Sequence, residues 1–206
     1  MAASPSVVRR RGMVSGAGFF GVFGALWLFA GVTFFENPQL IWHLAVPLIL
    51  GAAVLVWQSR VRHRLAREPS PDVSPDDAAR DARILRWFII INIAQYAAIA
   101  AAVWLCIRQQ RLNDIVPAIS VIVGFHFAAL SPVFRTPFHL AVGIVMCLWV
   151  AAVLAAIEAT GVPPVLASAP SATSALIAFG NGVLLFFCAA WYLLRAQQGS
   201  PAAAGA

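Results

Sequence analysis

Six long apolar stretches, at roughly residues 13–35, 39–57, 85–107, 115–134, 139–158 and 174–194, constrain this chain more than any other feature. Each is close to the about 20 residues that a helix needs to cross the hydrocarbon core of a bilayer. No water is at hand there to bond backbone N–H and C=O groups, so a spanning segment must satisfy them internally, as a helix does. The sequence therefore predicts an all-α, polytopic membrane protein with six transmembrane helices. Composition agrees: 61% of residues are hydrophobic, 11% are charged and the mean hydropathy is +0.84, whereas a soluble domain is about a quarter charged. So few charges could not clothe 206 residues in water.

The first stretch follows Arg9-Arg10-Arg11 and so resembles the opening of a signal peptide. Its apolar run is about twice the length of a signal peptide's and shows no clear small-x-small cleavage site. It is read as a retained first span. Gly12 and Met13 do not continue the triplet into a twin-arginine signal.

Arginine supplies every one of the 14 basic residues. The absence of lysine excludes Schiff-base chemistry, and with it retinal or pyridoxal attachment; it fits the codon bias of a GC-rich genome. If the N-terminus is inside, the inner segments hold Arg9, Arg10, Arg11, Arg60, Arg62, Arg64, Arg67, Arg80, Arg83, Arg86, Arg135 and Arg195, leaving only Arg108 and Arg111 outside. Positive charge is retained on the cytoplasmic side. The expected topology is N-in and C-in, in the inner (plasma) membrane of a bacterial cell. Trp42 and Trp104 then fall near the outer boundary and Trp57, Trp87 and Trp191 near the inner one, as interfacial belts favour. Trp27 and Trp149 lie deeper and require packing partners. The net charge of +6 does not indicate a nucleic-acid partner, because the arginines stand between apolar runs and not along one face.

The expected organisation is a cytoplasmic segment at 1–12, a six-helix transmembrane domain at 13–195 with a cytoplasmic loop at 58–84, and a disordered tail at 196–206. Within the loop, Ser74-Pro75-Asp76-Asp77 reads as a helix start: a capping serine, proline at the first helical position, then acids in the first turn. The acidic run Asp76 to Asp81 lacks the glycines and second acidic cluster of membrane phosphatidyl- and prenyl-transferases, and reads as a solvated helix end. Cys106, Cys147 and Cys188 are odd in number and lie within apolar runs, so no disulfide framework or zinc site is expected. No internal repeat of the inverted-transporter kind is evident.

Polar residues at depth are where membrane proteins tend to keep function. At about 1.5 Å per residue, Asn92 lies about 9 Å and Gln95 about 13 Å inward from Arg86, and His126 about 13 Å from Arg135. Asn92, Gln95 and Tyr96 share a helix face. With spans three and four joined by a short connection, His126 and Gln95 are expected to meet. His126, which titrates near neutral pH, could then shuttle a proton; the competing role is an interhelical hydrogen bond worth about 0.6 to 2 kcal/mol. An outer polar level holds His43, Asn181 and Glu158, with Glu36. Among the four histidines no two share a depth on different helices, so a haem held by two of them is not expected, nor any other cofactor. No metalloprotease or P-loop motif is present.

Small residues mark close packing: Ala17, Gly21 and Ala25 in span one, Ser120, Gly124 and Ala128 in span four. The span-one seam suits either an internal contact or a homo-oligomer. His126 lies about 160° around its helix from Gly124, so it must face another helix or a cavity.

Gly124-Phe125-His126-Phe127, followed by Leu130, Phe134, Pro137 and Gly143, resembles the G-x-H-F segment and proline turn of a group of small uncharacterised bacterial multi-pass membrane proteins. The likeness covers about 20 residues, with Ala128-Ala129-Leu130 where that pattern has Pro-Leu-Ala. It implies a six-helix fold and a role for His126. Three function classes stay open. A small-solute transporter or channel fits the two polar levels, an accessory or assembly protein fits the small loops, and a membrane enzyme is least favoured because no catalytic groups converge. The lipid bilayer is the one certain partner, and the ligand is unknown.

Overall fold

A computed structural model of the chain describes residues 7–34, 43–68, 75–161 and 172–198. Its elements are helices α1 (Val7–Thr33), α2 (Ala45–Ala66), α3 (Pro75–Arg108), α4 (Ile115–Phe134), α5 (Pro137–Thr160) and α6 (Ala172–Gln197), with a 3₁₀ turn at Leu112–Asp114. No strand occurs among the described residues. All six helices are long and apolar enough to cross a membrane.

Helix α3 starts at Pro75, where the Ser74-Pro75 pair places a start; Ser74 itself lies outside the described residues. Helix α2, by contrast, runs past Trp57 to Ala66. The expected loop at 58–84 is therefore helical over most of its length. Val61 and Leu65, each almost wholly buried, prolong the packed stripe of α2 beyond its apolar run. Hydropathy ends at the arginines, but packing does not. Likewise α1 begins at Val7, inside the expected segment 1–12, and α6 passes the expected end at 195; most of the tail lies outside the described residues.

The residues divide into two compact units. The first holds α1, α2 and α6 from Gly182 onward; the second holds α3, α4, α5 and α6 up to Asn181.

In the first unit the small-residue seam of α1 is an internal contact. Ala17 is fully buried. A Cβ added at Gly21 would stand 2.5 Å from Val54 Cγ1 of α2, and one added at Gly51 would stand 3.0 Å from Ala25 Cβ. Gln58 Nε2 donates to the Val14 carbonyl at 3.0 Å. At the end of this hairpin Arg10 makes a two-pronged ion pair with Glu68. Arg11 donates to the carbonyls of Leu65 (3.1 Å) and Glu68 (3.3 Å). These close the last turn of α2, whose terminal carbonyls lack helical partners and attract cations. On the other flank of α1, Phe20 meets Tyr192 edge-to-face at 5.5 Å.

In the second unit two tight turns stack three helices side by side. Helix α3 ends at Arg108, and two residues on Gln110 adopts a left-handed conformation (φ 57°). The amide of Arg111 reaches back to Cys106 O and that of Gln110 to Ile107 O, the paired bonds of a Schellman cap. Helix α4 ends at left-handed Arg135 (φ 50°). Thr136 then caps α5, its hydroxyl accepting from the Phe138 amide, and Pro137 takes the first helical position. Between α4 and α5 the backbones touch through glycine. A Cβ at Gly143 would collide with the Gly124 carbonyl and stand 3.0 Å from the Ala128 amide, and one at Gly124 would lie 2.6 Å from Cys147 Sγ. Val150, Val153 and Ile177 form the core beside this crossing. Trp149, too deep for a belt residue, packs on Gly180 and donates to the Leu176 carbonyl at 3.2 Å.

Candidate functional site

Helix α4 packs against α3 on one side and α5 on the other. Gly124 and Gly143 hold the α5 side together, which turns His126 toward α3. The histidine is 5% exposed and lies against the Ile91 backbone without reaching hydrogen-bond geometry. Neither ring nitrogen has a hydrogen-bond partner. Leaving such a group bare in an apolar interior costs about 1–3 kcal/mol.

The expected pairing of His126 with Gln95 is not made. Equal counts from Arg86 and Arg135 assume that these two residues stand level, and α3 is offset along its axis from that register, so that Ile91 and not Gln95 lies against His126. His126 sits level with Ile91, one turn short of Gln95. Asn92 is satisfied within its own helix, donating to the Phe88 carbonyl at 2.7 Å. Tyr96 is 58% exposed and takes no part. Gln95 is half-buried.

What surrounds His126 is aromatic. Its ring stands edge-on to Phe127 at 5.6 Å. Phe127 also meets His139 of α5, stacked at 6.4 Å. His139 also stacks on Phe134 at 5.2 Å and meets Phe138 edge-on at 6.1 Å. Phe88 of α3 closes the set against Phe134. Phe127 thus stands between the two imidazoles, one on each side of its ring. The tight turn after Arg135 folds α5 back so that His139 returns beside the end of α4. The signal that could have found this was the spacing His126-Phe127 and Phe138-His139 on either side of Arg135-Thr136-Pro137.

Of the residues expected at an outer polar level, Asn181 is the one that is buried among the described residues. Asn181 is fully buried on α6 and its Nδ2 donates to Ser120 Oγ of α4. Its Oδ1 has no hydrogen-bond partner. Ser120 reads in sequence only as a small packing residue. His43 sits in an exposed turn and Glu158 is exposed on α5; Glu36 lies outside the described residues. An apolar groove of about 290 Å³, lined by Trp149, Ala152, Ala156, Thr160 and Leu176, holds none of these polar groups. Among the described residues no cluster of His, Cys, Asp or Glu could hold a metal ion.

Chemically, the His126 region offers one imidazole that can donate and accept, walled by aromatic rings and without a charged neighbour to fix it. It can hydrogen-bond a small polar molecule. A second imidazole, His139 of α5, stands on the other side of Phe127. No protein-family model matches the chain, and comparison with curated proteins and with solved structures likewise returned no match.

Proposed function

We propose that this protein sits in the inner membrane of a bacterial cell with both ends in the cytoplasm, and conducts or transports a small solute through the His126 region. The observation that carries this reading is an imidazole buried to 5% exposure with both nitrogens unpartnered. A histidine kept only for packing would be expected to use its hydrogen-bonding capacity on a neighbouring helix. Intramembrane polar groups without protein partners belong to pathways and binding sites more often than to scaffolds. The likeness of Gly124-Phe125-His126-Phe127 to small bacterial membrane proteins points to the same residue. The alternative is a non-catalytic assembly protein, favoured by the tight α4–α5 crossing at Gly124 and Gly143. A membrane enzyme has the least support.

Two tests follow. Reporter fusions after Arg64 and after Leu166 should fall on opposite sides of the membrane, with Arg64 inside, because twelve of the fourteen arginines lie on the inner segments of this topology. Fusions reporting the same side would overturn it. For function, a deletion strain is screened for a solute-dependent growth or uptake defect. Complementation with His126→Ala should fail while the variant accumulates in the membrane at the normal level. Full complementation by His126→Ala, or loss of the protein itself, would favour the assembly reading.

A further inference from the structure

Helix α2 carries one continuous stripe, Ile49, Ala53, Val56, Arg60, Arg64 and Arg67, at spacings of three and four that align side chains on one helix face. Every residue of it is exposed. The opposite face, with Gly51, Val61 and Leu65, is buried. The stripe changes character once, between Val56 and Arg60: apolar below, cationic above. Arg10 occupies the nearby carboxylate of Glu68, and Arg11 the last carbonyls of α2. The side chains of Arg60, Arg64 and Arg67 make no ion pair or hydrogen bond among the described residues.

From this we infer that the stripe is a docking face for an anionic phospholipid, with acyl chains along Ile49, Ala53 and Val56 and the phosphate held by Arg60, Arg64 and Arg67. The change of character selects a lipid over a soluble anion. A soluble phosphate needs only the arginines, whereas the apolar half of the same face fits a molecule that is greasy at one end and charged at the other. The dimensions agree. Val56 to Arg60 is about 6 Å along the helix, comparable with the headgroup layer of about 5–8 Å on each side of a bilayer; Arg64 and Arg67 lie about 6 and 10 Å further on and reach back toward Arg60, since helical side chains tilt toward the N-terminus. Arginine forks match phosphate oxygens in pairs, and the long side chains reach the headgroup level while their stems stay on apolar surface. The inference depends on α2 crossing the membrane, not on the role of His126.

The test uses the full chain reconstituted in phosphatidylcholine bilayers doped with spin-labelled phosphatidylglycerol or spin-labelled phosphatidylcholine. The readout is the motionally restricted fraction of each. Each basic residue near an anionic surface contributes about fivefold (about 1 kcal/mol). Shared contacts lower the sum, so the phosphatidylglycerol preference should be roughly tenfold and shrink as salt rises. The R60Q/R64Q/R67Q protein should lose most of it, R64Q alone part of it, and R60K/R64K/R67K should keep more than the glutamine variant. The single variant serves if the triple does not insert. R80Q/R83Q/R86Q, on α3, should keep most of the preference. Equal restriction of the two lipids, an equal loss in the α3 variant, or displacement by soluble glycerol phosphate beyond the effect of matched sodium chloride would each overturn the inference.

Discussion

Glu68→Ala is expected to destabilise the protein by about 3–5 kcal/mol, the usual cost of removing one partner of a buried ion pair. The reason is not the attraction lost but the cation left behind. Arg10 is 3% exposed, and its guanidinium spends both terminal nitrogens on Glu68. Its Nε already has no hydrogen-bond partner. Without the carboxylate, a buried charge remains with nothing to offset its desolvation. Thermal unfolding in detergent should show a large fall for Glu68→Ala and a smaller one for Glu68→Gln, which keeps an acceptor oxygen. A paired change, Arg10→Met with Glu68→Leu, should recover much of the loss, because an apolar pair of similar size needs no compensation. If Glu68→Ala melts like the parent protein, the pair is solvated and its structural role is refuted.

That ion pair also marks the boundary of what could be read from the residues. The spans were legible because lipid imposes one rule on every one of them, and a run of apolar residues long enough to cross has few other solutions. The Ala17-Gly21-Ala25 seam was legible for a related reason. A row of small residues has value only where another backbone comes close, and α2 supplies it. Pairings between distant segments were not. Arg10 and Glu68 are 58 residues apart, and each sits in a charged run where solvation is the ordinary reading. The His126 surroundings were missed for a metric reason: equal counts from Arg86 and Arg135 assume that the two arginines stand level, and a slide of about one turn between α3 and α4 brings Ile91 instead of Gln95 to the imidazole. Asn181 stands out in the sequence as a polar residue within an apolar run, and it is fully buried, but its partner Ser120 is hidden in a row of packing residues. Sequence periodicity reports which face is polar or small. It does not report how far one helix has slid along another.

Gly143→Leu is expected to disrupt the second unit, because what it meets cannot move aside. A Cβ at this position already collides with the Gly124 carbonyl and crowds the Ala128 amide, both backbone atoms of a helix whose ends are fixed by the turns at Gln110 and Arg135. Overpacking a core commonly costs about 1–3 kcal/mol, and more where no rotamer change can relieve it; about 3 kcal/mol or more is expected for leucine here. Gly143→Ala should lie between leucine and the parent. Gly12→Ala, where nothing lies within 4 Å of the added carbon, should leave the melting temperature nearly unchanged or raise it slightly, since alanine is the better helix former. A second readout locates the damage. Cys147 faces Gly124 across the same crossing and should label faster with a membrane-permeant maleimide in Gly143→Leu, in a background where Cys106 and Cys188 are serine. Separation of α4 from α5 also frees Phe127 from His139, so the aromatic wall beside His126 loosens with it. If leucine at 143 changes neither the melting temperature nor the Cys147 labelling rate, α4 and α5 do not approach through these glycines, and the placement of His126 toward α3 loses its physical basis.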